Sequence, residues 1–168
     1  MELNSLQLAV LQPFVDETLN ALEKMLTLRG EADSGFQDKV EDFKFKGYAV
    51  VVNTTGDITG RVLIHHYTET AAAIGNKLLK KQKPNIKESH GMDDRVINAL
   101  ADFSNLIMTP ALKTLQTSEA KVGFSQPYFL SDTENMDNLL SEVKEIMTVP
   151  IRVENIGRFY INYLIHSN

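Results

Sequence analysis

The run VINALADFSNLIMTPAL carries an apolar pattern of helical period that leaves two polar residues, Asp102 and Asn105, unexplained. At about 100° per residue, Val96, Leu100, Phe103, Ile107 and Ala111 gather on one side of a helix, and Asn98, Asp102, Asn105 and Thr109 gather on the other. Asp93 and Asp94 open this helix, because carboxylates favour the positive end of its dipole. Pro110 lacks the N–H that the ladder needs, so a kink or restart is expected near Thr109. An earlier helix is expected from Pro13 to about Leu28, with Phe14, Thr18, Leu22 and Met25 as its buried stripe and Gly30 as its stop. Leu6, Leu8 and Leu11 add a helical turn ahead of it.

The remaining patterns are those of strands. Tyr48 to Asn53 is a valine-rich run of the kind covered on both faces. Gly56-Asp57 supplies a turn, and Gly60 to Tyr67 returns as the second strand of a hairpin. Thr68 to Lys80 reads as a helix capped by Thr68 or Thr70, followed by the polar connection KKQKPNIKESHG. The charged stretch Glu31 to Lys46 is expected as loop with an edge strand near Val40 to Phe45. Lys121 to Leu130 gives one or two short strands broken at Pro127, and Asp132 to Leu140 a short helical or loop excursion. A closing hairpin joins Glu145–Glu154 to Arg158–His166 through Asn155-Ile156-Gly157, with Phe159, Ile161, Tyr163 and Ile165 alternating. This order predicts an α+β domain, long helices packed on one mostly antiparallel sheet.

Composition narrows the function. The 168 residues are most simply one domain with a full-sized core. A net charge of −5 argues against nucleic acid as the main ligand, and the lack of cysteine excludes disulfides, thiolate nucleophiles and Cys-ligated metal. No basic signal region and no apolar run of about 18 residues occurs, so a cytoplasmic protein without membrane insertion is expected. There the Asn53-Thr54-Thr55 sequon goes unused.

Candidate chemistry is sparse. His65 and His66 are strand neighbours on opposite faces and cannot share a metal, while His90 and His166 stand alone, so no metal site is expected. Gly56 to Gly60 leads into a strand rather than a helix, which excludes a phosphate-cradling loop. Lys80, Lys81, Lys83 and Lys87 form a basic run that could steer an acidic partner toward the helix behind it. Asp102 and Asn105 place a carboxylate and a carboxamide side by side on a rigid element. Exposed Asp and Asn on a helix are ordinary surface, so spacing alone does not make them a site.

Taken in order, PFVDETLNALEKML, GYAVVVNTTGDITGRVLI, ETAAAIGNKLL, INALADFSNLIMTPAL, FSQP and GRFYINYLI resemble the CheX/CheC group of chemotaxis phosphatases. The single signature helix is closer to the one-site CheX branch than to the two-site CheC branch. The family motif is Glu-x-x-Asn, preceded four positions earlier by Asp or Ser and followed some twenty residues later by proline. Here it becomes Asn98, Asp102-Phe103-Ser104-Asn105 and Pro127, with Asp102 one methylene shorter than the family Glu. The resemblance implies hydrolysis of the aspartyl phosphate of a CheY-like receiver domain that brings its own Mg²⁺ and lysine, so this chain needs no bound cofactor. Asn105 would orient the attacking water and Asp102 would pair with the receiver's lysine. Asn98, Leu106 and Thr109 would touch the partner, and a homodimer is implied, with the aromatic terminal strand as its candidate edge. The alternative is a non-catalytic receiver-binding or flagellar-switch-type module with a degenerate site.

Overall fold

The computed structural model describes residues 5–89, 91–118, 121–131 and 136–166; His90 and the first part of the Asp132–Leu140 excursion lie outside them. In chain order the elements are α1 (Ser5–Leu26), β1 (Gly30–Ala32), β2 (Phe36–Asp38), β3 (Tyr48–Gly56), β4 (Gly60–His66), α2 (Thr68–Gln82) and α3 (Asp94–Gln116). There follow β5 (Val122–Phe124), β6 (Tyr128–Ser131), α4 (Met136–Leu140), β7 (Val143–Val153) and β8 (Gly157–His166). All strands join one eight-stranded sheet of order β1-β7-β8-β4-β3-β5, with β2 also on β7 and β6 also on β3. Every pairing is antiparallel, and the α+β expectation holds.

Alternation divides the sheet between two cores. Val50, Val52, Val62, Ile64, Ile161 and Tyr163 face the helices, and Val96, Leu100, Phe103 and Ile107 of α3 close over them. The intervening Val51, Leu63 and Leu164 face the other way, under Phe43, Phe45 and Leu139. Burial of the valine run on both sides is therefore real.

Several local expectations are corrected. Pro13 does not open α1 but lies inside it, because the helix starts at Ser5. Val10 and Leu11 are buried there, and this burial offsets the roughly 3 kcal/mol that an internal proline costs. Met25 is only half-buried, and Gly30 is not the stop. Thr27 takes the left-handed conformation, at φ 54°, and its amide donates to the Glu23 carbonyl at 3.0 Å. Gly30 begins β1, where a Cβ would meet Leu22 Cδ1 at 2.6 Å.

The edge strand expected at Val40–Phe45 is instead a 3₁₀ turn at Val40–Asp42, and the strands fall earlier, at β1 and β2. Phe43 and Phe45 are buried on the far face of the sheet, which takes this segment across the face rather than along the edge. Neither Thr68 nor Thr70 caps α2. Tyr67 is the cap residue, without a side-chain bond, and Thr70 Oγ1 donates instead to the Arg158 carbonyl at 3.0 Å. α3 runs through Pro110 to Gln116 without restarting. The terminal strand β8 is no edge; it lies between β7 and β4, with apolar side chains buried on both faces.

Both true edges are broken in two. On β7, β2 pairs up to Thr148 and β1 resumes at Ile151. Pro150 sits in the gap; its carbonyl accepts from the Asp33 amide at 2.9 Å, so the position that lacks an N–H faces that edge. On β3, β6 covers Tyr48–Val51 and β5 covers Thr54–Gly56, with Pro127 in the break. Short, interrupted strands of this kind blunt edge-to-edge pairing.

Candidate functional site

α3 is amphipathic, and the structure settles its two faces. Val96, Leu100, Phe103, Ile107 and Ala111 are buried. Asn98, Asp102, Asn105, Leu106 and Thr109 are exposed, Leu106 to 52%. Leu106 is one of few large apolar side chains so exposed, beside two polar ones (Asn105 and Asp102). Among the described residues, neither Asp102 nor Asn105 makes an ion pair or hydrogen bond through its side chain.

The helix that carries them is fixed from below and from its start. Its inward face packs against α1, α2 and β3. Gly75 of α2 permits the close approach, since a Cβ there would meet Val96 Cγ1 at 2.5 Å. Asp93 caps α3, accepting from the Val96 amide at 3.1 Å and from Ser89 Oγ at 2.7 Å. Arg95 donates to the same carboxylate at 2.9 Å. The Arg95 bond above all, then those from Ser89 and the Val96 amide, hold the Asp93 carboxyl down at about 2. Asn76 of α2 completes the brace, donating to the Ser89 carbonyl at 2.9 Å and accepting from the Ser89 amide at 3.0 Å.

A cleft of about 240 Å³ opens where α2 ends and α3 begins, with Leu79 and Ala99 at its base and Lys83, Arg95, Asn98 and Asp102 around it. Asp102 and Asn98 are thus brought to one concavity. A larger one, about 410 Å³, lies by Arg29, Arg152 and Arg158 at the β7–β8 turn. It shares no lining residue with the Asp102 cleft. Arg152 there is already paired, at 3.0 Å to Glu31 and 2.8 Å to Asp33, so we place no chemistry in it.

The other sequence candidates scatter. Pro127 stands at the sheet edge, off the helix. His65 and His66 do point to opposite faces. His65 shares hydrogen bonds with Asn162 Oδ1 at 3.2 Å and the Lys46 carbonyl at 3.0 Å. His66 is stacked on Phe159 at 4.4 Å, and its Nε2 has no hydrogen-bond partner among the described residues. Burial, and then the neighbouring His65, lower its pKa to about 3, so it stays neutral. Among the described residues no three His, Asp or Glu side chains gather as a metal set, and no helix is long and apolar enough to cross a membrane. Sequence reasoning missed the Asn76–Ser89–Asp93 brace. An asparagine in the otherwise apolar AAAIGNKLL was its one visible signal.

No curated protein matches. Among solved structures, a CheC-like superfamily protein from Shewanella sp. PV-4 superposes with TM-score 0.72 at 16% identity, covering 98% of this chain and 100% of that one. CheX in a CheX–CheY–BeF3–Mg²⁺ complex from Borrelia burgdorferi gives 0.67 at 23% identity, over 94% and 98%. FliY from Thermotoga maritima gives 0.68 at 14%, over 98% and 92%. These likenesses establish the fold. The model of the family described as chemotaxis phosphatase CheX matches residues 48–150, the span holding the hairpin, α2, α3 and most of β7. By that match, the chain belongs to the CheX family of chemotaxis phosphatases.

Proposed function

We propose that this chain hydrolyses the aspartyl phosphate of a CheY-type receiver domain, with Asn105 and Asp102 as the residues that act. The observation that carries the reading is a carboxamide and a carboxylate, exposed and without partners among the described residues, on a helix whose opposite face is buried. The Borrelia burgdorferi relative was solved with CheY and Mg²⁺, which supports such a receiver as partner.

An acyl phosphate is already activated, so positioning is the main contribution left to a second protein. Asn105 orients a water in line with the scissile bond. The water oxygen bonds to phosphorus, the bond from phosphorus to the aspartyl oxygen breaks, and the receiver recovers its carboxylate as inorganic phosphate leaves with the water's protons. Asp102 pairs with the receiver's lysine and holds the docked geometry; Asn98, Leu106 and Thr109 fill out the contact. Mg²⁺ belongs to the receiver. The protein works in the cytoplasm as a homodimer, an assembly that sedimentation at graded concentrations tests.

The deciding experiment follows phosphoaspartate decay in a phosphorylated receiver with and without this protein. Acceleration that disappears in Asn105→Ala is expected; identical curves for wild type and Asn105→Ala overturn the assignment. The shorter Asp102, where the family has Glu, favours a second reading, a receiver-binding or flagellar-switch-type module. Receiver binding without faster decay would sustain it.

A further inference from the structure

We infer that the cleft between the end of α2 and the start of α3 takes an acidic side chain of the receiver, with Lys83 and Arg95 as the residues that select it. This rests on the phosphatase reading and adds to it the determinant of partner choice. Asp102 belongs to both features: it stands on the exposed strip of α3 and on the wall of the cleft.

Charge argues first. The chain carries a net −5, yet between Lys77 and Arg95 six cations face only three carboxylates. An anionic partner repelled by the molecule as a whole is therefore attracted at this segment. The cations are also not all spent. Among the described residues the Lys83 ammonium makes no ion pair. Arg95 lends one nitrogen to Asp93, leaving guanidinium donors over.

Geometry argues second. Opposite charges, Lys83 and Arg95 against Asp102, line one cleft without pairing with each other. A partner that fits must present a cation to Asp102 and, beside it, an anion to Lys83 and Arg95. A phosphoaspartate site that binds Mg²⁺ has this composition, since it needs a lysine among oxygen ligands. The cleft walls are also preset. The Lys83 amide donates to the Leu79 carbonyl and the Ile86 amide to the Lys83 carbonyl, at 2.9 and 3.0 Å. With Asn76 holding Ser89, little ordering remains to be done on docking.

The test is Lys83→Glu, with Lys44→Glu as the charge-matched control on an exposed position beyond the site. The probe is a CheY-type receiver domain phosphorylated by acetyl phosphate in Mg²⁺. For Lys83→Glu, KM should rise about tenfold at low salt with kcat retained, and the gap should close as NaCl is raised. Receiver affinity, read by fluorescence anisotropy in the Asn105→Ala background, should fall by the same factor, and this arm does not need turnover. Lys83→Glu matching Lys44→Glu in both arms overturns the inference, as does a loss confined to kcat. A wild type that binds but never accelerates decay overturns the phosphatase reading alone.

Discussion

The capped start of α3, with Asn76 of α2 beside it, and the exposed strip further along α3 hold similar side chains and treat them in opposite ways. At the start, Asp93 is saturated by Ser89, Arg95 and the Val96 amide, and Asn76 matches both halves of its amide to the backbone of Ser89. Further along, Asp102 and Asn105 make no side-chain hydrogen bond or ion pair among the described residues and face outward. Polar groups that a fold needs are paired within it, because an unpaired buried one is costly. Polar groups left open on a rigid surface cost the fold nothing and remain available to a partner. The contrast separates brace from site on one helix.

Asn105→Ala breaks the comparison at its functional end. Loss of a group that positions the attacking water should slow catalysed decay by about 100-fold or more. Its unfolding free energy, from a urea titration, should stay within about 0.5 kcal/mol of wild type, as for other exposed substitutions. Asn76→Ala should do the reverse. It strands the Ser89 amide and carbonyl, and roughly 1–3 kcal/mol of stability should go, measured by the same urea titration. Comparable stability losses in the two variants would erase the distinction.

The adjacent histidines of β4 repeat the contrast inside the core. His65 is bonded on both ring nitrogens, whereas His66 is enclosed with Nε2 unpartnered among the described residues. The ordinary His66 pKa of 6.5 is lowered to about 3 in the fold, so the unfolded chain binds the extra proton between these values. Stability is then full above pH 6.5 and falls as the solution is acidified. By linkage the loss from pH 7.5 to 5 should be roughly 2 kcal/mol. His66→Phe, keeping the stack on Phe159, should flatten that part of the pH profile; an unchanged slope would clear His66 of the effect.

What could be read from residues alone follows physical range. α3 and its two faces came through periodicity, as did the β3–β4 and β7–β8 hairpins, because these signals are local and repeat. That Asp93 and Asp94 open α3 was equally legible from the dipole, although the bond from the Val96 amide to Asp93 was not foreseen. Pro13 misled, because its local penalty is overruled by tertiary burial of Val10 and Leu11. The edge strands were displaced, because whether Phe43 lies on an edge or across a face depends on what covers the far side of the sheet. The cleft was invisible for the same reason. Lys83 and Arg95 are twelve residues apart, and the packing of α2 on α3, close at Gly75 and Val96, brings their elements together. The family motif located Asp102 and Asn105, and periodicity gave their outward direction. What they do rests on neither.

The smallest expected effect is also the sharpest probe of the exposed pair. Asp102→Glu restores the family's side chain, one methylene longer, at an exposed position with no partner to disturb among the described residues. Glu is also the better helix former at an interior position, so folding should be unharmed. If Asp102 reaches for a lysine on the receiver, the longer arm should hold or raise the decay rate, by a few-fold at most, since an exposed ion pair contributes no more than about 1 kcal/mol. The gain should appear in KM if the contact serves docking alone, and in kcat if it also seats Asn105 against the phosphoryl group. A marked fall on lengthening would mean that the shorter carboxylate is fitted to a closer approach of α3, and Asp102 would then be part of how this chain docks its receiver.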